Sequence, residues 1–573
     1  MKLEKHILKL TFLFLTSLCY LNSNAQAPNW QWAKSAGSTG DDVGLNIATD
    51  TLGNVYTTGY YQGTVDFDPG PAIFNLTAVG GNDIYLLKLD STGGFIWAKS
   101  MGGLSNEQGS CIAFDNMANV YLTGYYFATA DFNPGTPTFN LTSAGDYDAY
   151  ILKLDSSGNF IWAKSLGGIE FDQSQAITID DNNNIITCGF FLSTVDFDPG
   201  VGVFNLTPTG LADAYILKLD SSGNFIWAKN FGGINCDAYA TALTTDDSGN
   251  VYSIGSFTGT VDFDPGVNSF NLTAPIGATN AFISKMDSSG NFAWTKALVG
   301  LAAIDGTSII LDAAKDIYFS GFFLGTFDLN PGTPTVIVNS FDGEEDVLVC
   351  KLDNSGNYLW GKTFGGPGTD LGRGLALDNA ANVYITGTFR STFDFDPGPG
   401  VFNMTPSGFF GIYISKLDSA GNFVYAIEAG GSGGDGALSV SIDPTNNVYI
   451  TGRFGSPVAS FGPIALTNIS ASGNWDMFVA RLGNTLTALE STKEPNNVSI
   501  YPNPADDYFI INLNEMYTKS EIKIADVTGK IIYATTASVA QSIEVNTALF
   551  ATGIYFCMIN VDGQRITQKL IKN

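Results

Sequence analysis

The sequence predicts an all-β protein whose main part is a seven-bladed β-propeller of four-stranded blades. Three observations predict this fold. The motif Trp-Ala-Lys at 32–34 recurs, with substitutions, in steps of 65 to 67 residues, and such a period indicates a repeat architecture. Segments rich in Val, Ile, Tyr, Phe and Trp alternate in polarity between the motifs, as half-buried strands do. Short turns rich in Asp, Gly and Asn separate these segments.

Each repeat contains four predicted strands, a to d. In the first complete repeat they cover residues 45–50, 54–61, 84–90 and 95–100. The a–b and c–d turns are short, and each contains an Asp whose side chain is expected to accept hydrogen bonds from the turn amides. Four-stranded units that repeat radially form a β-propeller.

The two ends of the repeat region predict how many blades there are. Strand c occurs seven times, but its seventh copy at 475–482 is followed by no strand d. An isolated strand d at 30–35 instead precedes the first repeat. We predict that residues 30–35 complete the blade that begins at residue 437, so that the N-terminal strand closes a seven-bladed ring within 26–482.

The first 25 residues predict a secretory signal peptide. Lys2, Lys5 and Lys9 precede an apolar run at 10–21, and Ser23-Asn24-Ala25 supplies a small-residue cleavage site. The run is too short to span a bilayer, and no later segment is long enough, so no transmembrane segment is predicted. The alternative is a lipoprotein signal processed at Cys19, although Leu18 stands where a small residue is expected.

Composition excludes several classes of function. The one histidine, His6, lies in the signal peptide, so the mature chain has no catalytic triad with His and no His-ligated zinc. The net charge of −28 disfavours nucleic acid and anionic membranes as partners. The five remaining cysteines are too widely spaced for a disulfide framework and are predicted to be buried thiols. They are Cys111, Cys188, Cys236, Cys350 and Cys557.

Two resemblances follow from the motifs. Units with the pattern GG-x-x-x-D…D-x-x-GN-VY-x-TG…D-x-Y-x-x-K-LD-x-SGN-x-x-W resemble the SBBP β-propeller repeats of bacterial surface proteins, over about 29–482. The tail contains VSIYPNPA at 498–505, IADVTGK at 524–530, TGIY at 552–555 and QKLI at 568–571. It resembles the type A C-terminal sorting domain of the type IX secretion system of Bacteroidetes.

The second resemblance implies export in two steps. The signal peptide takes the chain to the periplasm, and residues 498–573 then engage the type IX secretion machinery, which leaves the protein secreted or on the outer cell surface. The resemblance also implies a small Ig-like β-sandwich for 498–573. The residue pattern itself predicts five to seven short strands there, after a polar linker at 483–497 in which a cut is expected.

Acidic residues recur in two connections that should share one face of the propeller. The b–c connection carries Asp-x-Asp-Pro-Gly, and paired Asp oxygens suit calcium, although Asp-Pro-Gly is also a natural turn. The candidate metal ligands are Asp66, Asp68, Asp196, Asp198, Asp262, Asp264, Asp394 and Asp396. The d–a connection carries Asp42, Glu107, Asp172, Asp237, Asp305, Asp370 and Asp435. We expect that face to be strongly acidic and to carry binding.

Three functions compete. A glycan-active enzyme could use two carboxylates without histidine, but these acids recur in every blade whereas an active site is singular. A calcium-stabilised structural surface protein is the second. The third, which the sequence favours, is a binding or adhesion module for an unknown glycan or protein ligand. No cofactor is predicted apart from the candidate calcium.

Three arginines break the repeat and are the candidate binding residues. Thirteen basic residues recur at two fixed strand positions and are predicted to be structural. Arg373, Arg390 and Arg453 instead begin strand a or end strand b of the last two blades. They predict a local site for an anion or a carboxylate. The alternative is that they pair with neighbouring loop acids.

Overall fold

The computed structural model describes residues 27–470, 473–483, 498–501, 503–517, 520–526, 530–537, 540–548, 550–561 and 564–572. The predicted signal peptide and positions 484–497 of the predicted linker lie outside these residues. Throughout the described ranges the chain forms β-strands and their connections without an α-helix, which confirms the all-β class. No helix in this part of the chain is long and apolar enough to cross a membrane. The chain divides into two compact units at Gly483 and Asn484.

The first unit contains seven groups of four antiparallel strands, and we call each group a blade. The first strands are β2 (Val43–Thr49), β8 (Glu107–Phe114), β12 (Gln173–Ile179), β18 (Ala238–Thr245), β24 (Ile304–Leu311), β30 (Leu371–Leu377) and β36 (Asp435–Ile442). The second strands are β3 (Val55–Tyr61), β9 (Val120–Asp131), β13 (Ile185–Phe191), β19 (Val251–Phe257), β25 (Ile317–Phe323), β31 (Val383–Phe389) and β37 (Val448–Phe454).

The third strands are β6 (Asp83–Leu89), β10 (Asn140–Leu154), β16 (Asp213–Leu219), β22 (Asn280–Met286), β28 (Asp346–Leu352), β34 (Gly411–Leu417) and β40 (Asp476–Leu482). The fourth strands are β7 (Phe95–Gly103), β11 (Phe160–Leu166), β17 (Phe225–Phe231), β23 (Phe292–Leu298), β29 (Tyr358–Phe364), β35 (Phe423–Gly431) and, from the start of the chain, β1 (Trp30–Ala36). A short pairing between β7 and β9 joins the first two blades into one eight-stranded sheet.

The N-terminal strand completes the last blade. β1 pairs antiparallel with β40, so that Ala33 lies opposite Ala480 and Ser35 opposite Phe478. This is the pairing predicted from the orphan strand at 30–35. The contact continues between the first strands of the first and last blades, where Ser439 Oγ lies 3.3 Å from the Ile47 backbone nitrogen.

Aspartate side chains set the strand boundaries. Asp50 Oδ1 accepts hydrogen bonds from the backbone nitrogens of Leu52 and Asn54 at 3.0 and 2.9 Å, and its Oδ2 accepts one from Asn54 Nδ2 at 2.7 Å. Equivalent turns follow at Asp115, Asp180 and Asp246. The predicted role of these aspartates in the turns is confirmed. β2 ends before Asp50 because the aspartate belongs to the turn.

The long b–c connections contain short strands that the sequence pattern did not predict. Five of them fold into two-stranded ribbons. These are β4–β5 (Thr64–Asp66, Asn75–Thr77), β14–β15 (Val195–Asp196, Asn205–Leu206), β20–β21 (Thr260–Asp262, Asn271–Thr273), β26–β27 (Thr326–Asp328, Ile337–Asn339) and β32–β33 (Phe393–Asp394, Asn403–Met404). In the last blade, β38 (Val458–Phe461) and β39 (Ile464–Thr467) extend the sheet of the sixth blade through β35.

The core lies between neighbouring blades. Tyr56 of the first blade is fully buried, and its ring lies edge-on to Trp97 at 5.9 Å and to Phe114 of the second blade at 4.7 Å. Four of the five cysteines are buried, Cys111 is half-buried, and all five are free thiols, as predicted.

The recurring lysines of the third strands form ion pairs with the aspartates of the a–b turns. Lys153 pairs with Asp115 at 3.5 Å and Lys218 with Asp180 at 2.9 Å, in both cases with nearly buried side chains. Lys153 also lies 4.8 Å from the centre of the Tyr121 ring. The structural role predicted for the third-strand lysines is therefore confirmed at these positions.

The described residues of the second unit form seven strands in two sheets. One sheet contains β41 (Val498–Tyr501), β42 (Tyr508–Tyr517) and β45 (Ala540–Asn546). The other contains β44 (Ile531–Ala537), β43 (Ser520–Asp526), β46 (Gly553–Val561) and β47 (Gln564–Lys572). Phe509 and Val545 from one sheet share a core with Ile522 and Cys557 from the other. This is the sandwich arrangement expected of the tail.

Candidate functional site: a cavity bordered by all seven blades

A cavity of about 400 Å³ is bordered by the first strand of every blade. Its volume lies within the range of small-molecule sites, about 300–1,000 Å³. In each first strand the register shifts by one residue, and the extra residue of this β-bulge lines the cavity. A bulge re-aims one side chain relative to its neighbours. The seven bulge residues are Leu45, Ser110, Gln175, Thr241, Thr307, Arg373 and Leu438.

The fifth residue of each second strand is a glycine, and it accommodates the bulge. A Cβ on Gly59 would overlap the backbone carbonyl oxygen of Val43, and a Cβ on Gly387 would overlap that of Leu371. The same close approach recurs in the other five blades. This repeat glycine therefore marks the place where the backbones of the first two strands come closest, next to the cavity.

Arg373 is the only charged residue among those that line the cavity. Its guanidinium lies 5.2 Å from the centre of the Phe322 ring. Within the described ranges the guanidinium forms no hydrogen bond and no ion pair within 4.0 Å. Burial lowers the pKa of Arg373, and Arg453 lowers it further, whereas Asp305 and Glu345 oppose the shift. Arg373 is thus a half-buried cation whose hydrogen-bond donors are available to a ligand.

Two other bulge residues also have unsatisfied polar groups. Ser110 Oγ is buried without a hydrogen-bond partner, and the Gln175 carboxamide has none among the described residues. The hydroxyls of Thr241 and Thr307 are satisfied, because they donate to the carbonyl oxygens of Gly306 and Gly372 at 2.6 and 2.8 Å. A ligand in the cavity would therefore meet polar groups at Ser110, Gln175 and Arg373.

A second circle of side chains comes from the residue directly after the repeat glycine. Its members are Tyr60, Tyr125, Phe190, Ser256, Phe322, Thr388 and Arg453. We call these seven residues the belt. Each occupies the same register position on a second strand, for example Tyr60 opposite Val43 and Arg453 opposite Gly436. Aromatic residues occupy four of the seven positions, and an arginine occupies one.

The positive charge of Arg453 lowers the pKa of Arg373, so these two arginines interact electrostatically. Arg390 stands apart from this pair. The Arg453 guanidinium lies 3.7 Å from the centre of the Trp475 ring, and burial lowers its pKa while Tyr60 and Asp41 oppose the shift. Arg390 is exposed and lies 4.7 Å from the Phe409 ring. In the part of the chain that the structure describes, none of the three side chains pairs with an acid within 4.0 Å. The alternative of pairing with loop acids stays a prediction, because the charges of Asp305 and Glu345 act on Arg373 and that of Asp41 acts on Arg453 at longer range.

The acids of the d–a connections do not form an exposed acidic face, and this expectation was wrong. Asp42, Glu107, Asp172, Asp370 and Asp435 are at most 2% exposed, and Asp237 and Asp305 are half-buried. The reason is that these carboxylates hold the loops together. Asp42, for example, accepts hydrogen bonds from the backbone nitrogens of Ser38 and Gln62 at 2.6 and 3.0 Å.

Some d–a acids interact electrostatically with the acid that begins a third strand, as Asp42 does with Asp476 and Glu107 with Asp83. Burial raises the pKa of Asp42 to about 7, and Asp476 raises it further. Burial likewise raises the pKa of Glu107 to about 7, next to Asp83 whose own pKa is raised by burial to about 6. One oxygen each of Asp83 and Glu107 is buried without a hydrogen-bond partner.

The candidate calcium ligands lie at the ends of the ribbons in the b–c connections. Asp66 Oδ1 accepts hydrogen bonds from the backbone nitrogens of Asp68 and Phe74 at 3.1 and 2.8 Å. Asp68 Oδ1 accepts one from the Gly70 nitrogen at 2.7 Å. The same pattern holds at Asp196 and Asp198, Asp262 and Asp264, and Asp394 and Asp396. One oxygen of each of these carboxylates thus accepts hydrogen bonds from backbone nitrogens of the turn.

These aspartates do not gather into a larger cluster. Over the described ranges, no group of three or more Asp, Glu, Cys or His side chains is arranged to hold a metal ion. Calcium binding at these pairs stays a prediction.

Sequence reasoning found Arg373 and Arg453 but missed the belt and the polar bulge residues. The signal that could have found the belt is the residue after the repeat glycine, where Tyr, Phe, Ser, Thr and Arg replace one another. No pattern of polarity marks the bulges, because a bulge shifts the register within an otherwise regular strand.

Residues 499–573 match the family described as "Secretion system C-terminal sorting domain". The tail is therefore a C-terminal sorting domain of type IX secretion. The protein is exported to the cell surface or to the extracellular space, as predicted.

Two curated proteins are similar to this chain over part of its length. An uncharacterized WD repeat-containing protein of Acanthamoeba polyphaga mimivirus is 24% identical over 70% of this chain and 34% of its own length. The regulatory protein FlaEY of Caulobacter vibrioides is 23% identical over 55% of this chain and 33% of its own length. The chain spans about a third of the length of these relatives.

Two solved structures show distant likeness. A puromycin hydrolase is 10% identical, with a TM-score of 0.36 over 83% of this chain and 59% of that chain. The dimeric latent PorU of Porphyromonas gingivalis is 11% identical, with a TM-score of 0.12 over 81% of this chain and 32% of that chain.

Proposed function

We propose that the protein is a secreted seven-bladed β-propeller of the SBBP type that binds an anionic ligand in its central cavity and serves as a binding or adhesion module. The blade number rests on the pairing of β1 with β40 and on the cavity that residues from all seven blades line. The ligand charge rests on one observation. Arg373 is the single charged residue that lines the cavity, and its guanidinium is without a protein acceptor in the described ranges.

Binding rather than catalysis fits the distribution of the acids. The buried carboxylates recur from blade to blade and accept hydrogen bonds from loop amides, so they serve the fold. The residues that differ between blades are those of the bulge and belt positions. Variation at equivalent positions of a repeat is how one scaffold acquires a single specific site.

The proposal predicts that Arg373→Gln removes anion binding. Calorimetric titration of the mature protein with citrate should show saturable binding, because a guanidinium pairs with carboxylates in a forked geometry. Gln keeps a polar side chain but is shorter and uncharged, and we expect at least a tenfold loss of affinity.

Arg390→Gln is the matched control, since Arg390 also lies over an aromatic ring but is exposed. It should bind citrate as the wild-type protein does. Equal affinity of the wild-type and Arg373→Gln proteins for citrate would contradict the proposed site.

A further inference from the structure

A row of aromatic side chains begins beside Arg453 and continues along the blades. Tyr60 is close enough to Arg453 that the guanidinium lowers its pKa against the larger, opposite effect of burial. Tyr60 in turn contributes to raising the pKa of Tyr125 on the next blade, in addition to the larger effect of burial. These two tyrosines hold the same belt position as Arg453, so the row starts at the arginine of the belt.

The row continues through direct ring contacts. Tyr125 lies edge-on to Phe171 at 5.7 Å, and Phe171 lies edge-on to Phe190 at 5.5 Å. Phe190 lies 4.9 Å from Tyr239 on the first strand of the fourth blade. All of these rings are half-buried except Phe190, which is buried. Three blades thus present connected aromatic surface that is partly open to solvent.

Both positively and negatively charged side chains lie around this surface. Asp305 and Glu345 are close enough to Arg373 to raise its pKa, and Asp41 has the same relation to Arg453. All three acids are half-buried. The arginines suit a carboxylate and the acids suit hydroxyl donors, so a ligand that carries both a carboxylate and hydroxyl groups would satisfy both kinds of group.

From this combination we infer that the ligand is a carboxylate-bearing sugar chain. The C–H face of a sugar ring carries partial positive charge and stacks on the negative face of an aromatic ring. Its carboxylate suits Arg373 and Arg453, and its hydroxyls suit Asp305, Glu345 and the amide of Gln175. This inference rests on the proposed anion site and assigns the ligand class to it.

The test compares three probes by calorimetry on the mature full-length protein: tetragalacturonate, its methyl ester and citrate. Tetragalacturonate should bind at least tenfold more tightly than citrate, because it adds ring stacking to the ionic contact. Esterification removes the charge but keeps the rings, and should weaken binding at least tenfold.

The variant Phe171→Leu separates the aromatic row from the arginines. Phe171 is the ring that links Tyr125 to Phe190, and Leu keeps an apolar side chain of similar size. We expect the affinity for tetragalacturonate to fall at least tenfold and the affinity for citrate to stay within twofold. Phe409→Leu, which replaces an exposed ring outside the row, is the matched control and should bind both probes as the wild type does.

The outcomes distinguish the two proposals. If citrate binding depends on Arg373 but tetragalacturonate binds no more tightly than citrate, the sugar ligand is wrong and the anion site stands. An equal loss for both probes in Phe171→Leu would likewise overturn the sugar ligand. If neither probe binds the wild-type protein, both the sugar ligand and the anion site are wrong.

Discussion

At the scale of single residues, burial decides what an ion pair contributes. Lys218 and Asp180 pair at 2.9 Å with side chains 5% and 0% exposed, whereas Lys315 and Asp247 pair at 2.5 Å with side chains 32% and 66% exposed. Burial alone would raise the pKa of Asp180, but hydrogen bonds from Asn184 and Lys218 outweigh it and the pKa is lowered. Removing one partner of a buried pair leaves the other charge uncompensated.

We therefore predict that Lys218→Met lowers the free energy of unfolding by about 3 kcal/mol. Urea unfolding followed by tryptophan fluorescence measures this, because all eight tryptophans lie in the repeat region. Lys315→Met removes an exposed pair and should leave the unfolding midpoint unchanged. Equal effects of the two substitutions would contradict this account.

At the scale of elements, the pairing of β1 with β40 joins the two ends of the repeat region. β1 and β40 come from opposite ends of that region, and residues 1–26, the predicted linker and the tail lie beyond them. Two buried residues that face each other across this pair, Ala33 and Ala480, offer a direct test.

The double variant Ala33→Cys, Ala480→Cys should form a disulfide under mild oxidation. Directly opposite residues of an antiparallel pair bring their Cβ atoms to about 4.5–5.5 Å, near the spacing that a disulfide needs. The bond would join residues far apart in sequence and should raise stability by up to about 5 kcal/mol. A non-reducing gel and the melting temperature measure it, with Ala33→Cys alone as the control. Failure of the native protein to cross-link would argue against the closed ring.

At the scale of the whole molecule, the buried carboxyls make stability depend on pH. Burial raises the pKa of Asp172 and Asp370 to about 7 and that of Asp346 and Asp476 to about 6. The folded protein therefore holds more protons than the unfolded chain between about pH 4 and 7. The free energy of unfolding consequently falls as the pH rises through this window.

We expect a higher melting temperature at pH 5 than at pH 8. A group whose pKa lies about two units above its unfolded value changes the free energy of unfolding by up to about 3 kcal/mol across the window. Asp83→Asn removes one such group without changing its shape, so the difference between pH 5 and pH 8 should become smaller. A melting temperature that rises from pH 5 to pH 8 would contradict this reading of the buried acids.

The sequence by itself determined the class, the repeat, the four-strand order within each blade and the sorting tail. Periodic Trp-x-Lys motifs and Asp-x-x-Gly-Asn turns are local patterns, since each strand and turn is specified by residues close together in the chain. The pairing of β1 with β40 could also be predicted, because one unpaired strand remained at each end. Arg373 and Arg453 stood out because they break the repeat.

Only the tertiary structure decided which side of each strand faces the cavity and which acids are buried. A bulge moves one residue of a first strand out of the alternating pattern, so Ser110, Gln175 and Arg373 line one cavity although they lie far apart in sequence. The d–a acids looked exposed because charged residues usually are. They are buried because neighbouring blades cover them, and burial of this kind depends on packing between distant segments.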